Sequence, residues 1–444
     1  MLKTLIVKFA HLFLFNNFAF LYYLLVKFFI KKYKPLDPRQ PNLFLLDEDR
    51  YRGDIQCLIN EFNIFSIKQS ITGSIIKGFY PKNCSIADIV KSNEANLIIQ
   101  HSKALLFAQK ILSYLVKNIK IDAILNVNYR YLDDYAWTIA AENMKIPHII
   151  LYRECLLTNE RQSLEVLVRH KRMGVFKGSR IIVSNEICKN LFVDSGYAPK
   201  SKITVCGTLR MDQFIRKIPN NGFAKNCITV FYFEKNSSLF GKLDKGNRLG
   251  EKFNYLYQIW PGRENFFYEY HKAFIELAID NPGLIIYLKP KKENMRNNSW
   301  KDFMKIFDEL GVDLRDIPNY KICPNASAEN LIFESKLVSS FQSTTAIEAA
   351  IAGKRVLLPL LEDYQKSRNF DDFAWRNDLD LFDVAYSAKD IKNIVINSLS
   401  DPSVSEEIIE KRWMLFEKYF GPRNSKSLTC YTKVIKNEIT NSCV

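Results

Sequence analysis

The feature that most constrains the fold is a repeated alternation of short apolar runs with longer amphipathic segments. Residues 121–127 form an apolar run, residues 133–144 carry a helical pattern, and residues 149–152 form the next apolar run. A strand, a helix and a second strand in this order predict a βαβ unit with parallel strands. The alternation continues through residues 180–205. The first half of the chain is therefore predicted to be a parallel α/β domain.

The same alternation starts again in the second half of the chain. Residues 227–233, 284–289, 337–341 and 356–358 are apolar runs, and helical patterns separate most of them. The chain has 444 residues, of which 47% are apolar and 25% charged, and this suits two globular domains. We predict an α/β fold with two doubly wound, Rossmann-like domains that face a cleft. Ligands in such domains bind at the carboxyl ends of the strands.

Prolines and changes of pattern set the predicted domain boundaries. Three prolines within residues 35–41 end an N-terminal appendage, and residues 212–225 are interpreted as a linker. The predicted segments are a hydrophobic helix at 1–34, a first domain at 42–212, a second domain at 226–400, and a C-terminal helix and tail at 401–444 that crosses back.

The N-terminal appendage has the character of a membrane-associated helix. Residues 9–26 contain no acidic or basic residue, are rich in aromatic residues and have lysines on both sides. A spanning helix needs about 20 apolar residues, so the segment is long enough either to lie in the interface or to cross the membrane. The larger lysine cluster on its C-terminal side predicts that the main body is cytoplasmic. A buried first helix of the main body is the alternative.

Charge and cysteine usage limit the possible partners. The net charge of +15 suits an anionic substrate or an anionic membrane surface, and the chain has no run of five basic residues that would favour nucleic acid. The nine cysteines contain no C-x-x-C pair, which predicts reduced thiols in a cytosolic compartment. The five histidines form no metal-binding pattern, so neither a metal nor a cofactor is predicted.

One predicted helix begins with a cluster of hydroxyl residues. Ser343, Thr344 and Thr345 follow the apolar run at 337–341 and precede an apolar helical segment. Hydroxyls and the free N–H groups of a first helical turn form an anion-binding site. Thr345 and Glu348 also match T-x-x-E, a capping box that needs no ligand. Both interpretations are open at this point.

Three segments, in this order, resemble the GT-B glycosyltransferases of bacterial surface-polysaccharide biosynthesis. They are SRIIVSNEICKNLFVDSGYAPKSKITVCGTLRMDQF, LIIYLKPKK and SSFQSTTAIEAAIAGKRVLLP, and the resemblance covers roughly residues 120–360. It implies a first domain on the acceptor side and a second domain that binds a nucleotide-sugar. It also implies transfer without a metal. Polyol-phosphate transferases and sugar-nucleotide 2-epimerases share this architecture, so both remain alternatives.

The resemblance also implies roles for individual residues. Arg210 and Asp212 occupy the hinge motif V-x-G-x-x-R-x-D and are expected to pair with each other. The implied donor-binding residues are Lys289, Lys291, Ser343, Thr344, Thr345 and Glu348. Similar proteins often carry histidine at the position of Lys291, but a lysine there still suits a pyrophosphate. Glu348 is expected either to accept a hydrogen bond from a ribose or sugar hydroxyl or to serve as the helix cap.

An inverting transferase needs a base that deprotonates the acceptor hydroxyl. Glu154 directly follows the apolar run at 149–152 and is the first candidate, with a salt bridge to Arg153 or Arg161 as the structural alternative. Asp54 and Glu234, which also follow predicted strands, are the other catalytic candidates.

A D-x-D pattern near the N-terminus is interpreted as structural. Asp47, Glu48 and Asp49 match the pattern that binds a divalent metal in another glycosyltransferase fold. The triplet precedes any complete nucleotide-binding unit, so it is expected to be a surface turn.

The sequence thus predicts a glycosyltransferase at the cytoplasmic face of the bacterial inner membrane, working on capsule or lipopolysaccharide. Its expected partners are a nucleotide-sugar donor, a glycan or lipid-linked acceptor and an anionic membrane surface, but not nucleic acid. A CDP-glycerol-type polyol-phosphate transferase and a sugar-nucleotide 2-epimerase are alternatives within the same architecture. A non-catalytic scaffold that retains the fold is an alternative of another class.

Overall fold

The computed structural model describes residues 27–442 except 52, 68–72, 74, 219–225, 236–258 and 293. The predicted hydrophobic segment at 9–26 lies outside the described residues. Two compact units are present. Unit 1 comprises the described residues within Met1–Cys155, Ser163–Gln213 and Tyr419–Val444, and unit 2 those within Leu156–Gln162 and Phe214–Lys418. In the described ranges no helix has both the length and the apolar character needed to cross a membrane.

Parallel strands form the framework of both units. The strands of unit 1 are β1 (Lys31–Lys32), β2 (Asn42–Leu46), β3 (Asn63–Ile67), β4 (Ala123–Asn126), β5 (His148–Leu151), β6 (Arg180–Val183) and β7 (Ile203–Val205). Those of unit 2 are β8 (Cys227–Phe231), β9 (Ile285–Lys289), β10 (Tyr320–Ile322), β11 (Leu337–Ser339), β12 (Arg355–Pro359) and β13 (Asp383–Ala385). Most of these strands are predominantly apolar and buried, with a polar residue often at one end, as expected where helices cover both faces of a sheet.

Helices alternate with these strands and often begin at polar caps. They are α1 (Asp54–Leu58), α2 (Ile86–Lys91), α3 (Ala95–Ile119), α4 (Leu132–Asn143), α5 (Glu160–Met173), α6 (Glu186–Asp194), α7 (Met211–Lys217), α8 (Arg263–Asp280), α9 (Asn298–Glu309), α10 (Ala328–Glu334), α11 (Thr344–Ile351), α12 (Ala388–Ser400), α13 (Glu406–Phe420) and α14 (Ser427–Ser442). Asn185 caps α6, Asn297 caps α9 and Ser387 caps α12, each by accepting a backbone N–H of the first turn. Helix α7 occupies the start of the segment predicted as a linker at 212–225, and the boundary between the two units lies within that segment, between Gln213 and Phe214.

The sheet of unit 1 has the order β1-β3-β2-β4-β5-β6-β7. Strand β1 is antiparallel to β3, and every other neighbouring pair is parallel. The sheet of unit 2 has the order β10-β9-β8-β11-β12-β13 with all pairs parallel. Counted from β8, this is 3-2-1-4-5-6, the doubly wound order of nucleotide-binding sheets. The predicted fold class of two Rossmann-like α/β domains is confirmed.

The C-terminal helix α14 completes the core of unit 1. Its Tyr431 and Ile435 are buried in the apolar cluster that also contains Leu43 and Leu125. At the start of the helix, Asp212 accepts the backbone N–H groups of Ser427 at 3.1 Å and Leu428 at 2.7 Å. A carboxylate is favourable at a helix N-terminus because it satisfies free N–H groups and the helix dipole. The structure therefore gives Asp212 a capping role besides the hinge pairing expected for it.

The glycine of the hinge motif is required by a close approach of two chain segments. Gly207 has φ +85°, and a Cβ there would lie 2.6 Å from Ser427 Oγ. Thr208 donates its backbone N–H to Phe420 O at 2.7 Å, which holds the two segments together. Only glycine combines this backbone conformation with this spacing.

Two cysteines of unit 1 join the same two segments. Cys206 and Cys430 form a disulfide, so the prediction of reduced thiols is wrong for this pair. Six other cysteines are free: Cys57, Cys84, Cys155, Cys188, Cys227 and Cys323. Cys443 lies outside the described residues.

Candidate functional site

Unit 2 has its topological switch point between β8 and β11. The chain runs outward from β8 through β9 to β10, then returns to the other side of β8 as β11 and runs outward again. The loops at the carboxyl ends of β8 and β11 therefore diverge and leave a crevice where ligands bind in such sheets. Glu234 follows β8 and Ser343 follows β11. The structure brings these two predicted site residues to the same switch point.

The hydroxyl cluster forms the start of α11. Ser343 is the N-cap, and its side chain accepts the backbone N–H of Thr345 at 3.3 Å. The hydroxyls of Thr345 and Ser340 lie 3.1 Å apart. Because the helix begins at Thr344, the predicted capping box with Thr345 as the cap is wrong. Glu348 lies one turn further along the helix and is only 9% exposed.

The segment after β8 is fixed against α9. Asn297 donates its side-chain amide to a carboxylate oxygen of Glu234 at 2.5 Å and uses its own oxygen to accept the backbone N–H of Trp300 at 2.9 Å. Lys235 forms an ion pair with Asp302 at 2.5 Å. One asparagine thus orients Glu234 and caps a helix.

The two lysines after β9 lie in different environments. The ammonium of Lys289 donates to the backbone carbonyls of Pro290 at 3.1 Å and Pro324 at 2.9 Å. Lys291 is exposed. Lys289 therefore ties two loops together, and the ammonium of Lys291 is the more accessible of the two.

Aromatic rings hold the two switch-point loops of unit 2 in place. The rings of Phe233, after β8, and Phe341, after β11, are 5.1 Å apart, and Phe266 contacts both. Gln342, the residue after Phe341, donates its side-chain amide to the backbone carbonyl of Asp372 at 3.2 Å. The contact among the three aromatic rings fixes the spacing of the polar residues that follow β8 and β11.

Unit 1 has its own switch point, between β2 and β4, because the sheet order is β3-β2-β4. The segment after β2 supplies Asp47 and Arg50, which form an ion pair at 2.6 Å. Helix α4, after β4, supplies Asp134, which pairs with the same guanidinium at 3.0 Å, and Asp133, which pairs with Lys77 at 3.1 Å. These contacts join the ends of both strands into one polar network.

The structure contradicts the surface-turn prediction for the D-x-D triplet. Asp47 is buried in its ion pair with Arg50. Glu48 accepts hydrogen bonds from Tyr33 at 2.6 Å and Ser66 at 2.8 Å. Only Asp49 of the triplet is exposed. In the described ranges, no group of three or more His, Cys, Asp or Glu residues is arranged to hold a metal ion.

The predicted catalytic acids of unit 1 differ sharply in exposure. Asp54 is buried at the start of α1 and pairs with Arg153 at 2.9 Å. The Glu154 side chain is 62% exposed and pairs with Arg130 at 3.5 Å. The salt bridges predicted between Glu154 and Arg153 or Arg161 are therefore wrong. Arg161 instead pairs with Asp372, within unit 2, at 2.6 Å.

Burial perturbs two carboxylates of the unit 1 network. Burial raises the pKa of Asp134 to about 7, helped by repulsion from Asp133 and opposed by Arg50. Burial also raises the pKa of Asp54, against the attraction of Arg153 and Arg210 and a hydrogen bond from the Arg210 backbone. Burial therefore shifts both carboxylates towards the protonated form, and the pKa of Asp134 lies near neutral pH.

Sequence reasoning missed Arg50, Asp133 and Asp134 as site residues. A signal for Asp133 and Asp134 was present, because two adjacent acids lie in the first turn of the helix that follows an apolar run. Acidic residues are common in the first turn of a helix because the helix dipole stabilises them there. The pattern therefore did not distinguish residues of a binding site from residues that only stabilise the helix.

The comparisons with known proteins show similarity of fold. No protein-family model and no curated protein matches the sequence. Among solved structures, a protein of Listeria monocytogenes assigned as a UDP-N-acetylglucosamine 2-epimerase matches at 11% identity and TM-score 0.50, over 90% of this chain and 97% of that chain.

Two further solved structures match with lower TM-scores. The UDP-GlcNAc 2-epimerase of Neisseria meningitidis bound to UDP-GlcNAc is 14% identical, with TM-score 0.46 over 90% of this chain and 100% of that chain. Anabaena HepE in complex with UDP and glucose is 13% identical, with TM-score 0.42 over 90% and 100%. With the Listeria match at TM-score 0.50, the two Rossmann-like units indicate a GT-B-like fold.

Proposed function

We propose that the protein is an enzyme that uses a nucleotide-activated sugar and transfers the sugar to a surface-glycan or lipid-linked acceptor. The observation that carries the proposal is the switch point of unit 2, where hydroxyl residues and a helix N-terminus follow β11 and Glu234 follows β8. Nucleotides bind at this point in doubly wound sheets because free N–H groups there meet the phosphates. The fold shared with the Listeria protein, named for UDP-N-acetylglucosamine, supports the choice of donor.

The start of α11 is the proposed pyrophosphate site. Ser343, Thr344 and Thr345 present hydroxyl donors beside the N–H groups of the first turn, whose partial positive charge favours an anion. Lys291 is exposed and supplies a positive charge that stabilises the leaving nucleotide. Lys289 contributes by holding the loop, since its ammonium is bound to two carbonyls.

Two carboxylates are proposed to orient the rest of the donor. Glu234 has one oxygen bound to Asn297, and we assign the carboxylate to a ribose or sugar hydroxyl. Glu348 is the second candidate for such a contact, because it lies on α11 one turn beyond the hydroxyl cluster. A carboxylate accepts two hydrogen bonds from adjacent hydroxyls, which fixes the plane of the ring.

Glu154 is the proposed base of an inverting transfer. It follows β5 and is largely exposed, so its carboxylate is accessible to an acceptor hydroxyl. The hydroxyl proton goes to Glu154 while the hydroxyl oxygen bonds to the anomeric carbon, and the nucleoside diphosphate leaves with the electron pair of the broken C–O bond. Asp54 is less suited, because it is buried and bound to Arg153.

A thermal-shift panel with UDP-, CMP-, GDP- and CDP-linked donors tests the donor site. A ligand that binds only the native state raises its stability by about 2.7 kcal/mol at a hundred times its Kd. We expect one nucleotide to raise the melting temperature of the wild type and to raise that of Ser343→Ala much less. Ser387→Ala removes a comparable helix cap elsewhere in unit 2 and is the matched control. An equal response of both variants would contradict the assignment of α11.

A sugar-nucleotide 2-epimerase is the second candidate, favoured by the likeness to the Listeria protein. The two reactions differ in whether an acceptor is required. Incubation with UDP-N-acetylglucosamine alone, followed by NMR of the sugar, is expected to leave the donor unchanged for a transferase. Formation of the C2 epimer without an acceptor would replace the transferase proposal.

The proposed site of action is the cytoplasmic face of a bacterial membrane. The proposal rests on the net charge of +15 and on the apolar segment at 9–26, which lies outside the described residues. Basic surfaces bind anionic lipid headgroups, which would keep the enzyme near a lipid-linked acceptor. We expect the full chain to sediment with anionic vesicles and a chain lacking residues 1–26 to do so less. Equal recovery of both in the supernatant would contradict membrane association.

A further inference from the structure

Helix α3 exposes an apolar stripe on the surface of unit 1. One side of this helix, which runs over Ala95–Ile119, is buried and packs against α4. On the other side Ile98 and Ile99 are each 52% exposed, and Leu106 is 50% exposed. Ile99 and Leu106 are about two helical turns apart, so they lie on the same side of the helix. Large apolar side chains that are exposed together on one helix mark an interaction surface.

A row of lysines runs beside this stripe. Lys103, Lys110 and Lys117 are spaced seven residues apart. Ile99 and Leu106 have the same spacing, and each precedes one of the lysines by four residues. Residues four apart are neighbours on a helix surface, so the two rows lie side by side. Lys103 and Lys117 are exposed, and the helix contains no acidic residue.

The same surface continues beyond α3 through α2, which contacts α3. Gly174 lies against Val90 of α2, because a Cβ on Gly174 would be 3.1 Å from Val90 Cγ1. Val90 and the neighbouring Val175 are both exposed. The segment 171–177 contains no acidic residue, and its three basic residues are exposed: Lys171, Arg172 and Lys177. We call the exposed side of α3, Val90 and residues 171–177 together the α3 face.

The composition of the α3 face distinguishes between classes of partner. None of the exposed positions of α3 carries an aromatic or an acidic side chain. Protein interfaces are enriched in aromatic residues and depleted in lysine, which is the opposite composition. Nucleic-acid interfaces are polar, so exposed isoleucine and leucine contribute little to them. Aliphatic side chains that enter the headgroup boundary, with lysines that bind anionic headgroups, are the pattern of a helix that lies on a membrane.

We propose that the α3 face docks on an anionic lipid bilayer, with Ile98, Ile99 and Leu106 in the headgroup boundary and the lysines against the lipid phosphates. The proposal rests on the membrane location proposed above and assigns it to a described surface, distinct from the segment at 9–26. At a rise of 1.5 Å per residue the helix is about 37 Å long, so it contacts many lipids along its length. Docking of this kind holds unit 1 with α3 parallel to the membrane.

Lysine acetylation footprinting on the full chain tests the α3 face. The protein is acetylated with and without excess vesicles of mixed phosphatidylglycerol and phosphatidylcholine, and mass spectrometry measures the modification of each lysine. We expect the anionic vesicles to lower the acetylation of Lys117 and Lys177 several-fold. Lys389, an exposed lysine of unit 2, is the internal control and should be modified equally in both conditions. Vesicles of phosphatidylcholine alone should protect the two lysines of the face much less.

A pair of matched double variants measures the contribution of the face to binding. Leu106→Gln with Lys117→Glu changes one apolar and one basic residue of the α3 face. Its partition coefficient onto the anionic vesicles, measured by cosedimentation, should fall more than about tenfold, since each basic charge near an anionic bilayer contributes about fivefold. Lys389→Glu with Ile396→Gln makes the same change of charge at exposed residues of α12 and should bind like the wild type. Equal melting temperatures of the two variants show that folding is intact.

The outcomes separate the α3 face from the other proposals. Unchanged acetylation of Lys117 and Lys177 in protein that sediments with vesicles would overturn the α3 face and leave the membrane location standing. Equal binding of the two double variants would also overturn it. Protection that appears without vesicles as the protein concentration rises would identify a second copy as the partner and overturn the lipid assignment. Protection by anionic vesicles without any nucleotide response in the thermal-shift panel would support the α3 face and count against the proposed transferase.

Discussion

Replacement of Asp134 by asparagine should change how the stability of unit 1 depends on pH. Asp134 is buried, and its pKa of about 7 lies well above the ordinary 3.8. The folded state therefore holds the proton more tightly than the unfolded state. The stability that this provides is fully present below pH 3.8 and is lost as the pH rises through 7. Asparagine has nearly the same shape and does not titrate in this range.

The magnitude follows from the two pKa values. While the pH lies between them, each pH unit changes the free energy of unfolding by about 1.4 kcal/mol. Ionisation of Asp134 in the folded state therefore removes about 3 kcal/mol of stability between pH 5 and pH 8. Because Arg50 keeps its ion pair with Asp47 in the variant, its charge stays paired. The stability of Asp134→Asn relative to the wild type should rise by this amount over that range.

Urea unfolding at pH 5, 6, 7 and 8 measures the difference, with hydrogen exchange of peptides from α4 as the readout for unit 1. This local readout is needed because two compact units need not unfold together. Buried histidines titrate in both proteins, so their contribution cancels in the comparison. Glu142→Gln changes an exposed carboxylate on the same helix and is the control. The reasoning from linkage would be refuted if the stability of Asp134→Asn relative to the wild type stayed constant within about 1 kcal/mol from pH 5 to pH 8, or fell as the pH rose.

Three further perturbations address particular contacts. Reduction of the Cys206–Cys430 disulfide, whose partners are 224 residues apart, should cost up to about 5 kcal/mol and speed hydrogen exchange in α14. Burial lowers the pKa of His148 to about 3, so this residue makes the wild type lose stability as the pH falls from 6.5 to 3. Unfolding scans of His148→Leu should therefore show a loss of stability that is smaller than that of the wild type by about 1.4 kcal/mol per pH unit in this range. Gly207→Ala should lower the melting temperature, because its φ of +85° and the nearby Ser427 hydroxyl leave no room for a Cβ.

The sequence predicted the central strands well because their apolar runs are unmistakable. The predicted apolar run at 284–289 is observed as strand β9 (Ile285–Lys289), and the predicted helix at 133–144 is observed as Leu132–Asn143. Buried parallel strands form nearly continuous apolar runs bounded by polar residues, so composition and length identify them. The predicted start and end of this helix each differ by one residue from the observed ones, a difference as small as that between definitions of helix ends.

Four strands were missed, and each for a local reason. β1 consists of only two residues, both lysines, and lies in the segment predicted as a hydrophobic helix at 1–34. β3 contains Asn63 and Ser66, β10 is a three-residue strand with a lysine in its middle, and β13 begins with an aspartate. Short or polar strands lack the run that marks a buried strand. Their polar side chains are accommodated by particular partners, such as Ser66, which donates to Glu48, and these partners are distant in sequence.

The missed strand β3 explains why the unit 1 network was not predicted. Without β3 the chain order in unit 1 is a simple succession, and nothing marks the position between β2 and β4 as a reversal. Arg50 and Asp134 are 84 residues apart, so only the strand order shows that they meet. Residues such as Ser343, by contrast, carry a local signal, because a hydroxyl cluster before an apolar helix is visible in the sequence itself.

The two switch points have the same topology but different polar groups. At the unit 2 switch point a helix N-terminus and three consecutive hydroxyl residues, Ser343 to Thr345, form a site that favours an anion. At the unit 1 switch point ion-paired acids and bases surround Arg50 instead. Added salt should therefore weaken the binding of a nucleoside diphosphate to the unit 2 site. Titrations with UDP at about 0.05 M and 0.5 M sodium chloride, which span a several-fold change in screening length, measure this effect. If the affinity for UDP were the same at both salt concentrations, electrostatic attraction would not be what holds the nucleotide at α11.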